Sequence, residues 1–577
     1  MKKWFLWSAT AILGLSAVLW SIAQIASSPV GLPTLFPDNA LLYIEARDFQ
    51  SLLKDWNSSE EKRTWLKGDN YAGFSRSRLF ERLSQAQSEF SAAASLPADD
   101  ALLSSVSGAE SALAVYDIGN LQFLYITRMA QPKVEATPLW QLRDKFEQRT
   151  EGSAQFYVHV DPQSNRTAAF AARDGWLILA TREDLVAGAL DRLQGAHPHS
   201  LPDEPWYADS LKQASGPSGD LRMVLNLEKI VPSPYFRSYW VQRNIAEMKQ
   251  YRAAISDLHR ESEAYREYRI LLRKPGITAT VSGDVGPLLD LAPEDAVFSS
   301  AQASPGTDQV LAALRENLLE VKSAPQQQTT WSSAPAPIDS ENAGSTSALE
   351  ERIDIAPVIA PHSDAYQPLR TLLSATQPSA LLETYNTRST SGDVFVAIDS
   401  AIVLVSPAPW DESALQSAIS AALRPGLTAS RLGIEWMAHT GNGAYTSLTG
   451  QVPLHMAVRG NQLFLSNSES LLHTLLSRGK ASSSAHAAGT SYSAVFQHTP
   501  REQQNARALF NKLDGAGHGN DSSGDTANAG DAQRPSFFSG NIVSLSRMFS
   551  HVDRETIDER DDGTQVTQTV VYRWRHS

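Results

Sequence analysis

Two stretches of this chain repeat one another at a fixed spacing, and that repetition constrains the fold more than any other feature. Asp174-Gly175 leads into Trp176-Leu177-Ile178-Leu179, then Glu183, Leu185, Ala189-Leu190, Arg192-Leu193 and Gly195. Gly460-Asn461 leads into Gln462-Leu463-Phe464-Leu465, then Glu469, Leu471, Leu475-Leu476, Arg478 and Gly479. From Leu177 to Arg192 the offset holds at 286 residues. An earlier pair starts at Pro37-Asp38-Asn39-Ala40 and at Pro293-Glu294-Asp295-Ala296, each followed by an apolar run and a helical pattern, at an offset of 256. The strand patterns around Leu113 to Ile126 and Val394 to Val405 fall between, at about 280. The drift of about 30 residues is accounted for by an insertion rich in Ser, Ala, Pro and Gln, Ser323 to Ala348. Three pairs in one order with one explained gap predict an internal duplication.

Each copy reads as antiparallel strands interleaved with helices. Asp-Gly and Gly-Asn supply the positive φ of tight turns, joining Thr167–Ala172 to Trp176–Thr181 and Leu454–Val458 to Gln462–Ser466. Both second strands run into helical periodicity, with Thr181 or Ser468 available as an N-cap. No regular β-α-β alternation with Gly-rich turns is present, so the predicted class is α+β. Ser238 to Leu258 carries Val241, Ile245, Met248, Tyr251, Ile255 and Leu258 at spacings of three and four, which predicts an amphipathic packing helix with a possible continuation to Leu272. An alternative makes Glu267–Leu272 and Gly276–Ser282 a hairpin, with Glu555–Glu559 and Gln565–Trp574 as its counterpart. A second stretch with little to bury, Asp514 to Pro535, reads as a flexible insertion.

Between Lys3 and Asp38 there is no formal charge, and Trp4 to Ala26 is almost wholly apolar or small. As a helix this segment would reach roughly 34 Å, against a hydrocarbon core of about 30 Å. Lys2 and Lys3 precede it, so the positive-inside bias predicts a cytoplasmic N-terminus and an exported remainder. Residues 1–28 therefore read as an uncleaved anchor; the competing reading is a signal peptide cut after Ser21-Ile22-Ala23. The chain has no cysteine, which excludes disulfides, thiolate metal sites and a cysteine nucleophile. A net charge of −13 argues against a nucleic-acid partner, because phosphate binding draws on clustered Lys and Arg.

Catalytic templates mostly fail. H-E-x-x-H, G-x-S-x-G, Walker A and G-x-G-x-x-G are absent. Ser-x-x-Lys occurs at Ser51/Lys54, Ser59/Lys62 and Ser477/Lys480 without the S-D-N and K-T-G motifs that accompany it in acyl-transfer enzymes. His197 and His199, with Asp203 and Glu204, could offer metal ligands but sit in a Pro-rich loop better read as solvated surface. Asp514, Asp521, Asp525 and Asp531 depart from calcium-loop spacing. Glu60-Glu61 and Asp99-Asp100 read as exposed faces. Phe236-Arg237-Ser238-Tyr239-Trp240 with Arg243-Asn244 is a dense aromatic and polar cluster, read as the start of the packing helix rather than a recognition patch. No catalytic, cofactor or metal residue is assigned.

The anchor, the Pro-Asp-x-Ala opening before a strand, the repeated strand-turn-strand-helix units and the Phe236 to Asn244 cluster together resemble N-terminally anchored bacterial envelope proteins of unknown-function domain families. That resemblance implies a location and an architecture only. The expected organisation is α+β, two tandem related domains of antiparallel strands and helices after one N-terminal transmembrane helix: residues 31–286, then 287–577 with flexible insertions at about 323–348 and 514–535. The expected role is a non-catalytic binding or assembly module facing the periplasm, held to the inner membrane and meeting an envelope protein or cell-wall partner. The alternative is an envelope hydrolase or acyl transferase whose site is assembled from residues distant in sequence.

Overall fold

The computed structural model describes residues 31–67, 71, 75, 78–97, 101–196, 199–214, 218–234, 248–277, 283–319, 363–389, 396–427, 435–440, 443–448, 453–478, 489–499 and 552–574. The expected anchor, both expected insertions and the Phe236 to Asn244 cluster lie outside them. Among the described residues no helix is long and apolar enough to cross a membrane. The fold mixes helices with antiparallel strands, as the α+β class requires. Contacts divide the chain into two compact units at residues 279/280, and Gly563–Val570 counts with the first.

The first unit contains β1 (Leu42–Ala46), β2 (Ser111–Asp117), β3 (Gln122–Arg128), β4 (Glu147–Glu151), β5 (Ala154–Val160), β6 (Thr167–Arg173), β7 (Trp176–Ala180), β8 (Leu221–Leu225), β9 (Tyr251–Arg260) and β10 (Ala264–Arg273). They pair side by side as β4-β5-β6-β7-β3-β2-β1-β8-β9-β10, every pair antiparallel. Alternation along β7 shows how both faces are filled. Ile178 packs with Leu35, Phe36, Tyr43, Val186 and Leu190, whereas Leu177 and Leu179 pack with Tyr125, Phe146 and Phe170. The helices of seven or more residues are α1 (Phe49–Ser58), α2 (Glu60–Leu66), α3 (Arg78–Ala93), α4 (Glu183–Leu193) and α5 (Pro205–Gln213). α4 supplies Val186 and Leu190 to one core, and α3 supplies Ala93 to the other.

The second unit contains β11 (Phe298–Ala303), β12 (Ala380–Ser389), β13 (Val396–Val405), β14 (Trp436–His439), β15 (Tyr445–Leu448), β16 (Leu454–Arg459), β17 (Gln462–Ser466), β18 (Tyr492–Gln497) and β19 (Val552–Asp561). Their order is β14-β15-β16-β17-β13-β12-β11-β18-β19, again antiparallel throughout. Strand for strand this is the order from β4 to β9 in the first unit. β20 (Gln565–Trp574) follows β19 in the chain. The helices of seven or more residues are α6 (Thr307–Leu314), α7 (Gln367–Thr376), α8 (Glu412–Leu427) and α9 (Glu469–Arg478). Phe464 of β17 faces Leu472 and Leu475 of α9, while Leu463 and Leu465 face Leu314, Leu369 and Ile419 of the other three.

Three local expectations are corrected. The helical reading of Ser238 to Leu258 fails from Tyr251 onward, where β9 buries alternate residues Tyr251, Ala253, Ile255 and Asp257. Glu267–Leu272 does belong to a hairpin, formed with the preceding β9 in register from Tyr265 opposite Arg260; most of Gly276–Ser282, the expected partner, lies outside the described residues. Thr181 is also not the cap of α4. Arg182 stands at that position, and the Thr181 hydroxyl accepts the Phe123 N–H at 2.9 Å.

Candidate functional site

The sequence candidates dissolve into local structure. Asp48 caps α1 by accepting Ser51 N–H at 3.0 Å and Ser51 Oγ at 2.8 Å, so Ser51 is committed to a helix start. Ser59 caps α2 through Lys62 N–H at 3.1 Å, and Lys62 Nζ turns to Asn57. Ser477 Oγ donates back to Thr474 O at 2.7 Å, with Lys480 outside the described residues. In the Pro-rich loop, Asp203 accepts both Ser200 N–H and Ser200 Oγ in a capping box, and Glu204 accepts Asn39 N–H at 2.7 Å. Those two carboxylates order the backbone, and His197 lies outside the described residues. Glu60 and Glu61 open α2, where acidic residues suit the helix dipole. Among the described residues no group of three His, Asp or Glu is placed to hold a metal ion.

Two polar constellations were not visible as linear motifs. The first is an open concavity of about 540 Å³ lined by Arg47, Asp220, His259, Arg260, Glu261, Arg266 and Tyr268. Register explains why these residues meet. Ala46 pairs with Leu221, Leu221 with Leu258, and Leu258 with Glu267, so the end of β1, the start of β8, the end of β9 and the start of β10 share one end of the sheet. The approach to β8 is tight: a Cβ on Gly219 would stand 2.4 Å from Leu258 O and 2.8 Å from Leu258 N. Behind the concavity Arg222 donates to Asp257 through two parallel bonds, Nε to Oδ1 at 2.7 Å and Nη2 to Oδ2 at 2.8 Å. That pair holds β8 and β9 together from a largely buried position.

Within the concavity, Arg260 donates to Asp55 of α1 at 2.7 Å and its backbone N–H to Asp220 Oδ2 at 2.7 Å. Arg266 Nε donates to Glu261 Oε1 at 2.8 Å. Arg47 donates to the carbonyl of Ser218. The Tyr268 ring stands edge-on to His259, centroids 5.6 Å apart, with 40% of the residue open to solvent.

The second constellation surrounds Tyr445. His439 stacks on its ring at 4.4 Å, and His473 and His455 meet it edge-on at 5.3 and 5.9 Å. Opposed pairs His439/Tyr445 and Ser447/His455 put all four side chains on one sheet face, with Glu469 and His473 arriving from α9. Tyr445 donates to Glu469, which pushes the phenol up to about 12 and holds the carboxylate below its usual range. Burial holds His455 below the usual imidazole value. His439 Nε2 lies 2.7 Å from Ser447 Oγ, a bond that resembles a nucleophile and its base. Ser447, however, is 2% exposed, so no acyl group reaches it.

No protein-family model matches this chain, and no curated protein matches it. Among solved structures, one described as "Structure of crystal form I of TP0453" is similar at 10% identity, covering 43% of this chain and 80% of that chain with a TM-score of 0.23. A likeness so loose carries no argument about fold or role.

Proposed function

We propose that this chain is a non-catalytic envelope protein, tethered to the inner membrane by residues 4–26, whose two related α+β units face the periplasm as a binding or assembly module. The observation that carries the reading is the recurrence of one antiparallel strand order in both units. A shared order, with Ile178 and Phe464 at equivalent core positions, is what duplication of one ancestral module leaves behind. The charge-free apolar segment behind Lys2 and Lys3 supports the tether and its orientation. Open, polar concavity rather than an enclosed reactive pocket supports binding. The alternative, an envelope hydrolase or acyl transferase, draws on the bond between His439 and Ser447, and the burial of Ser447 counts against it.

The test is crosslinking of the full chain in intact cells, with a cell-wall preparation and a peptide mixture as candidate substrates for the purified protein. A reproducible envelope protein or cell-wall partner and no turnover is expected. Turnover without any captured partner reverses the ordering. The mass of the mature N-terminus separates anchor from signal peptide: Met1 retained for the first, a start at Gln24 for the second.

A further inference from the structure

The concavity at the shared end of β1, β8, β9 and β10 combines three chemistries: an open aromatic ring, a guanidinium with no carboxylate partner among the described residues, and carboxylates with an oxygen to spare. We propose that it binds an acidic sugar residue, a pyranose ring carrying a carboxylate, as a charged envelope glycan presents it. Naming a glycan as the source rests on the envelope reading above; the ligand chemistry does not.

Arg47 bonds the Ser218 carbonyl, and among the described residues no carboxylate pairs with it. A planar guanidinium in that state matches a ligand carboxylate through two parallel hydrogen bonds. Tyr268 is held upright by His259 and leaves its other surface open, a platform for the apolar face of a sugar ring. Asp220 uses Oδ2 on the Arg260 backbone and Glu261 uses Oε1 on Arg266, which leaves Asp220 Oδ1 and Glu261 Oε2 to accept from ring hydroxyls. The same two carboxylates disfavour a phosphate dianion about twice as strongly as a single carboxylate, and with only three guanidiniums the site is a poor match for a polyphosphate. Interleaved acceptors and donors around one aromatic ring fit a hydroxylated ring with a single negative charge.

The experiment is saturation-transfer NMR on the full-length chain in detergent micelles, with D-glucuronic acid, D-glucose, inorganic phosphate and a Glu-rich peptide as the probes. Glucuronate should bind saturably with transfer to its ring protons, and glucose about tenfold more weakly, the scale of one lost charge-assisted pair. Tyr268→Ala and Arg47→Gln should each weaken glucuronate about tenfold at unchanged melting temperature, with Arg47→Lys falling between. Equal binding of glucose and glucuronate, an unchanged response in both variants, or displacement by phosphate or the Glu-rich peptide at matched concentration overturns the assignment. Glucuronate binding by a chain found in the cytoplasm would retain the site and remove the envelope reading. An exported chain that ignores glucuronate would do the reverse.

Discussion

His455 is half-buried, and its Nδ1 atom is buried without a hydrogen-bond partner among the described residues, so protonating the ring adds an N–H that solvent does not reach. Burial is the largest cause of its lowered pKa; Glu469 opposes it, and the imidazoles of His439 and His473 add to it. In the unfolded chain the same ring titrates near about 6.5. Below that value the unfolded state binds the proton first, so stability falls as the pH drops toward the folded-state pKa and is level above the window. Denaturant midpoints taken at about pH 7.5 and about pH 5.5 should therefore fall for the native chain and fall less for His455→Leu. An equal loss in both would remove His455 as the cause. Gly219 makes the second prediction at this scale. Its Cβ position is occupied by the Leu258 backbone, which cannot rotate away as a side chain could. Gly219→Ala should cost about 1–3 kcal/mol by denaturant titration, the range of an overpacked site, and should open the concavity at the β8 end. A neutral result would mean that the loop shifts freely.

Ile178 of β7 and Phe464 of β17 occupy the same place in their sheets, each facing the helix that follows. Ile178→Ala should cost about 2–5 kcal/mol and Phe464→Ala about 3–5 kcal/mol, since both leave cavities in fully buried cores. Hydrogen exchange should place the loss in β6, β7 and α4 for the first and in β16, β17 and α9 for the second; loss spread evenly over both units in either variant would contradict separate cores. These elements were legible from sequence because turn chemistry and periodicity agree there. Asp174 and Gly175 take the positive φ that the turn demands, at 51° and 79°, and β7 runs straight into α4. β9 was hidden for the opposite reason. It buries Asp257 against Arg222 and leaves Leu258 on the other face, which breaks the polar and apolar alternation and lets Tyr251, Ile255 and Leu258 mimic a helical stripe. Neither polar constellation was legible as a linear motif. Arg47, Asp220 and Tyr268 meet only through strand register, and the Tyr445 cluster needs α9 folded back over β14 to β16. The one available hint was His439, Tyr445, Ser447 and His455 falling on strands whose pairing puts them on one face.

For the molecule as a whole, the proposal to be tested is that everything after the apolar leader crosses a bilayer, and the absence of cysteine makes that testable without background. Gln163 lies exposed in the turn between β5 and β6, and Ser413 lies exposed at the start of α8, so each tolerates replacement without disturbing a core. A chain carrying Gln163→Cys or Ser413→Cys should react with a membrane-impermeant maleimide in cells whose outer barrier is opened and whose inner membrane is intact. Both positions should label if, as proposed, the charge bias at Lys2 and Lys3 places the entire remainder on one side. Labelling only after lysis would put both units in the cytoplasm and take with it the tether, the periplasmic role and the envelope source of the glycan. Labelling at one position alone would require a second crossing between residues 163 and 413, and no helix among the described residues there is long and apolar enough to make one. The physical ground for expecting both is the charge bias: acidic residues weigh little in orientation, so the net acidity of the chain does not oppose the proposed direction, which rests on the two lysines beside the apolar segment.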